Sequence, residues 1–222
     1  MDFLFSESVL YYIYIAIILL ISIGLHEYAH AYASFKLGDP TPVLQGRLTP
    51  NPLKHLDPIW FILIFIIGFG RGKPVQINPS YYKHPLKDEL LTALAWPGMN
   101  LFLALIGMLF LMVYSVIVGT SFSELLFYQF DMIQLFWWMF ITVNLALMTF
   151  NLLPIFPLDG YRLVKITRKK GALRMERNAL IVTIVLLTLI LLPGRGIIGS
   201  YIATVSDFLY RILFSFFSLI FY

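Results

Sequence analysis

The sequence predicts an all-α polytopic membrane protein of about five to six transmembrane helices, with a short re-entrant segment and a small membrane-associated β edge. Three observations carry this prediction. Hydrophobic residues make up 59% of the 222 and charged residues only 13%, against about 25% charged in a soluble domain. The mean hydropathy is +0.83. The apolar residues also fall in runs, several of them near the ~20 residues that a helix needs to cross the hydrocarbon core, so lipid is the solvent for most of the chain. The absence of cysteine excludes a disulfide framework, a thiolate metal site and a cysteine nucleophile, and leaves His, carboxylates and hydroxyls for any chemistry. A net charge of +4 fits the Lys/Arg bias of cytoplasmic loops and excludes nucleic acid as a partner.

Taken in order, the first apolar run, Val9 to Phe35, is expected to be a retained helix. The segment before it carries Asp2 and Glu7 where a signal peptide would be basic. Pro58 to Gly70 is too short to cross, and both its flanks are basic, so it is expected to dip into the membrane and return. Lys73 to Pro79 alternates Val75 and Ile77 with polar neighbours and ends in Pro, the pattern of a short edge strand. Leu90 to Gly119, Ile133 to Leu153 and the shorter Asn178 to Leu192 are expected spans, and Ile197 to Tyr222 either spans or lies partly in the interface.

Charge orients these spans. Arg162 to Arg177 holds seven Lys and Arg residues against Glu176 alone, which assigns that loop to the cytoplasm. Counting back, the N-terminus lies outside, and residues 1–222 form one domain.

Ionisable groups inside a membrane helix cost at least ~2.5 to 3.5 kcal/mol each at the centre and mark function by default. The first span contains His26-Glu27-Tyr28-Ala29-His30. Residues four apart stack on one helix face, so both imidazoles can reach one metal ion, while Glu27, about 100° round, can reach a water on that metal. The same H-E-x-x-H pattern places a glutamate general base beside zinc. The plainer reading, two satisfied core histidines and a solvated glutamate, is weakened by lipid, which leaves three polar groups little else to bond.

Hydrolytic zinc needs a third protein ligand and an open position. His26 lies near the cytoplasmic end of its span. The fourth spanning segment carries a carboxylate at that end, finishing as Asn151-Leu152-Leu153-Pro154-Ile155-Phe156-Pro157-Leu158-Asp159-Gly160. Asp159 is therefore the candidate, although the same residues also read as an ordinary helix end in a Pro-Gly turn. Asn151 beside it reads equally as a hydrogen-bond donor to a substrate carbonyl or as interhelical glue. His55 and Asp57, in a polar loop, read as partners of the metal ligands, as gate residues or as turn structure, and His84 as a solvated interfacial residue.

His26 to His30 together with Asn151 to Gly160 closely resembles the site-2 protease family of intramembrane zinc metalloproteases, whose two patterns are H-E-x-x-H and N-x-x-P-x-x-P-L-D-G. Gly38-Asp39-Pro40-Thr41-Pro42, Gly46-Arg47-Leu48-Thr49, Asn51 to Pro58 and Gly72 to Pro79 are similar to the compact bacterial and archaeal branch. The resemblance implies one Zn2+ per chain on His26, His30 and Asp159, with Glu27 as general base. It implies a transmembrane protein as substrate and a prokaryotic cell membrane as location, with the site near the cytoplasmic side. It favours the substrate-facing reading of Asn151. An unwound substrate could pair with the edge at Val75 by strand addition. The chain departs from the family at Trp96, where Ala-Gly-Pro is usual, and at Tyr161, where a second glycine is common. Two alternatives come from other classes. Two histidines and a carboxylate also bind iron in non-haem oxygenases, though an oxygenase has no need of Glu27. A non-proteolytic membrane protein that binds metal is the other.

Overall fold

The computed structural model describes residues 2–59, 72–122, 131–191 and 196–220. Eight α-helices lie among them: α1 (Asp2–Lys36), α2 (Thr41–Leu44), α3 (Pro85–Val118), α4 (Met132–Asn151), α5 (Tyr161–Thr167), α6 (Lys169–Arg177), α7 (Ala179–Leu191) and α8 (Gly196–Ile220). Single 3-10 turns occur at Pro52–Lys54 and Pro79–Tyr81. Among the described residues, four segments are long and apolar enough to cross a membrane: Val9–Lys36, Pro85–Val118, Met132–Asn151 and Gly196–Leu219. α7 is apolar but has 13 residues, a rise of ~20 Å against a ~30 Å hydrocarbon core. The expected last span is one continuous helix. The expected re-entrant run lies, beyond Ile59, outside the described residues.

Local signals set the helix ends. Pro85 opens α3 at a position where its missing N–H costs nothing, and Asp88 accepts from the His84 N–H at 2.9 Å. Gly119, at φ 71°, closes it in the left-handed region that favours glycine. Asp131 caps α4 reciprocally with Gln134, each side chain bonding the other's backbone N–H.

α3 and α4 pack closely. A Cβ on Gly107 would lie 2.7 Å from Ile141, so the missing side chain is what lets the two backbones approach. Asn100 and Asn144, both without exposed surface, bond each other across this interface at 3.3 Å. Ala104, Met108, Leu111, Ile141 and Leu145 form the core, covered by Leu209, Leu213 and Phe217 of α8. Ile18 joins α1 to Leu103, Met139 and Phe140. Contacts between the end of α1, the start of α3 and the residues after α4 gather the polar groups at one end of this three-helix core.

No strand occurs among the described residues, and Lys73 to Asn78 carries no regular structure. Four of its N–H groups are nonetheless bonded. Lys73 donates to the His55 carbonyl (2.8 Å), Val75 to Glu27 Oε2 (3.0 Å), Gln76 to Gln45 Oε1 (3.3 Å) and Asn78 to Asp39 Oδ2 (2.7 Å). Among the described residues the edge read from the alternation has no partner strand, and one backbone carbonyl and three side chains accept from it.

Candidate metal centre

The last turns of α1 present His26 and His30 one above the other, with ring centroids 5.9 Å apart. Both are buried, as is Glu27. Asp159 arrives from the turn after α4, where the Gly160 N–H bonds the Asn151 carbonyl at 2.7 Å. That closure needs glycine, because a Cβ at Gly160 would stand 2.3 Å from the Leu152 oxygen. His26, His30 and Asp159 each offer one ligand atom, and the three atoms lie within 4.8 Å of one another.

The donor atoms fit a divalent cation. His30 Nδ1 is 3.0 Å from the Thr92 carbonyl oxygen. That oxygen can only accept, so Nδ1 carries the proton and Nε2 presents a lone pair. Nε2 in turn faces Asp159 Oδ1 at 3.4 Å, close to the ~3.4 Å between two ligands ~2.1 Å from a tetrahedral centre. Two opposed lone pairs attract only through a cation or proton between them. His26 Nδ1 is buried with no partner among the described residues. Burial pushes the Asp159 carboxyl up, but the His30 and His26 imidazoles when protonated, together with Arg162, outweigh it and hold Asp159 below its ordinary value; a bound cation would take the place of those protons.

One cavity of about 170 Å³ is lined by six of the residues singled out from the sequence: His26, Glu27, His30, Val75, Asn151 and Asp159. Gly72 also lines it. A Cβ there would lie 2.8 Å from Ile23 and 3.1 Å from Glu27 Cγ, so glycine lets this segment lie over the glutamate. Val75 is buried, and its N–H is spent on Glu27. One amide N–H of Asn151 bonds the Leu147 carbonyl of its own helix at 2.9 Å, leaving the other.

His55 lies outside this cavity. It is fully buried, with Nε2 2.8 Å from the Thr49 carbonyl, and burial pushes its imidazole down. Its carbonyl tethers Lys73, so it supports the segment over Glu27 from behind. Asp57 accepts from the Ile59 N–H within its turn, and His84 is exposed at the start of α3.

Sequence reasoning missed the groups that hold the ligands. Trp96 is 1% exposed and packs on both imidazoles, at centroid distances of 3.6 and 5.5 Å. Behind His30 runs a buried chain. Thr92 Oγ1 meets the Tyr82 hydroxyl at 3.1 Å, that hydroxyl meets Ser34 Oγ at 2.7 Å, and Ser34 donates to Asp39 Oδ2 at 2.8 Å. Asp39 also takes the Asn78 N–H, which links the His30 side to the segment over Glu27.

The family profile described as peptidase family M50 matches residues 14–192, a stretch that contains both imidazoles, Glu27 and Asp159. The chain belongs to peptidase family M50, the site-2 protease family. M50 membership and the apolar helices together make it a membrane metalloprotease. Its relatives include the provisionally named zinc metalloprotease YwhC of Bacillus subtilis (strain 168), 40% identical over 190 residues, which are 85% of this chain and 83% of YwhC. Zinc metalloprotease Rip2, also provisionally named, from Mycobacterium tuberculosis (strain H37Rv) is 29% identical over 155 residues, 64% of this chain and 52% of Rip2. The M50 chain thus spans about half the length of Rip2. No solved structure matches it significantly.

Proposed function

We propose that this M50 chain is an intramembrane zinc metalloprotease that hydrolyses peptide bonds within or near transmembrane segments of membrane-protein substrates. The observation that carries the reading is the placing of the Glu27 carboxylate, fixed by the Val75 N–H, in the same cavity as the three converging donors. His26, His30 and Asp159 would hold the ion, which when bound lowers the pKa of a water and polarises a carbonyl. Glu27 is the proton carrier. With Oε2 held by Val75, Oε1 remains to take a proton from water in the cavity and deliver it to the leaving amine. Asn151 has a second amide N–H for the substrate carbonyl. Val75 lines the path of the substrate, though its N–H is engaged with Glu27. A transmembrane helix offers no free carbonyl until it unwinds, so substrates that open cheaply are favoured. The reading carries with it a prokaryotic cell membrane, an outside N-terminus and a site near the cytoplasmic face.

The test is metal content beside cleavage of a reconstituted single-span substrate. Wild type is expected to carry one zinc per chain, Asp159→Ala to lose it, and Glu27→Gln to keep it while turnover falls by about 10²-fold or more. Turnover retained in Glu27→Gln sinks the mechanism, and iron in place of zinc favours an oxygenase.

A further inference from the structure

The densest positive charge in the chain follows the Asp159 turn, and part of it has no work in the site. Arg162 lies 3.8 Å from Asp159, and Lys165 pairs with Glu89 at 3.1 Å. Lys170, Arg174 and Arg177 differ. At i, i+4 and i+7 they share one face of α6, opposite Ala172, which is buried and accepts from the Tyr161 hydroxyl. Among the described residues none of the three has a carboxylate within 4.0 Å. Glu176, the one acid of the helix, reaches instead toward Tyr161.

These three cations, with Leu173 and Asn178, line an open cavity of about 360 Å³. Its surroundings fix the depth. α7 begins two residues after Arg177, and its Leu180, Ile181 and Ile184 are exposed, as is Leu173. In a chain whose apolar helices place it in a bilayer, such a surface marks contact with acyl chains, so the cationic cavity sits where a polar surface meets the hydrocarbon. That is the level of lipid phosphates.

We propose that the Lys170, Arg174 and Arg177 face of α6 is a binding site for anionic phospholipid headgroups. The guanidinium groups take a phosphodiester through paired hydrogen bonds and Lys170 adds a mobile charge, while Leu173 and Leu180 meet the upper acyl chain. A zwitterionic lipid brings its own ammonium into the cationic cavity and loses most of the attraction. The site is independent of the proteolytic reading, since it needs only the membrane and the charge.

The experiment uses the full chain purified in uncharged detergent. Its thermal midpoint is followed while short-chain phosphatidylglycerol, short-chain phosphatidylcholine or glycerol 1-phosphate is added. Phosphatidylglycerol is expected to give a saturable rise that weakens with salt, and the other two little. Each cation removed should weaken apparent affinity about fivefold. Combined Lys170→Gln, Arg174→Gln and Arg177→Gln should therefore weaken it roughly a hundredfold, and Lys83→Gln with Lys87→Gln not at all. If the triple variant does not fold, Arg174→Gln alone reads the fivefold step. Equal response to the two lipids overturns the proposal. So does equal loss in the Lys83 and Lys87 control, and so does glycerol 1-phosphate binding as tightly as the lipid, which would mark a site for soluble phosphates.

Discussion

The Tyr82 hydroxyl joins two groups that need fixing, Ser34 on the Asp39 side and Thr92 on the His30 side. Tyr82→Phe keeps the ring and leaves Ser34 with Asp39 and Thr92 with the Asp88 carbonyl as remaining partners, a loss of about 0.5 to 1.5 kcal/mol. Because partners behind a ligand orient it, zinc affinity in Tyr82→Phe should fall about 10- to 100-fold, measured by competition with a chelator. Unchanged affinity would make the chain mere packing. Asp39 shows why this chain can be buried. Burial pushes its carboxyl up, yet hydrogen bonds from Thr41, Asn78 and Ser34 outweigh that and hold it below its ordinary value. A depressed carboxyl contributes stability that is present above its unfolded pKa of about 3.9 and is lost as pH falls through its lower native value. The acid fall in thermal midpoint should accordingly be shallower in Asp39→Asn than in wild type. The convergence of His26, His30 and Asp159 was legible because helical spacing pairs the two imidazoles and the Pro-rich end of the fourth apolar run brings a carboxylate. Ser34, Asp39, Tyr82 and Thr92 were not, because no periodicity links positions that meet only through a turn and a second helix.

Among the elements, the stretch from Gly72 to Asn78 matters most for catalysis. Its alternation read as an edge strand, but among the described residues the acceptors of its N–H groups are the His55 carbonyl and side chains scattered over residues 27, 39 and 45. Sequence pattern reports which face is apolar and says nothing of where hydrogen bonds end. The two roles separate in kinetics. If the Val75 N–H serves by fixing Glu27, Val75→Pro should lower kcat at least tenfold, by an order-of-magnitude estimate, with KM and zinc content near wild type. A rise in KM at constant kcat would instead mark lost substrate binding. The helices themselves were largely legible from hydropathy, with ends shifted by a few residues. α5 and α6 were read only as a basic loop, since short polar helices of 7 and 9 residues owe their form to contacts such as Tyr161 with Ala172.

For the whole molecule, the antiparallel run of α1, α3 and α4 brings His30, Thr92 and Asp159 to one end. On the charge reading that end faces the cytoplasm. The chain has no cysteine, so single cysteines report the topology directly. Lys54→Cys and Lys169→Cys should react with an impermeant thiol reagent only from the cytoplasmic side, and Asp2→Cys only from outside. Labelling of Lys169→Cys solely from outside would reverse the orientation. The distance in sequence between the donors bears also on biogenesis. His26, Glu27 and His30 leave the ribosome early, whereas Asp159 follows some 130 residues later, roughly 6 to 25 seconds at ordinary rates of synthesis. Throughout that interval the nascent chain holds two of the three donors. On the proposed reading, a hydrolytic centre completed only by its last ligand stays dormant while its own helices are still entering the bilayer, so the order of synthesis acts as a timer.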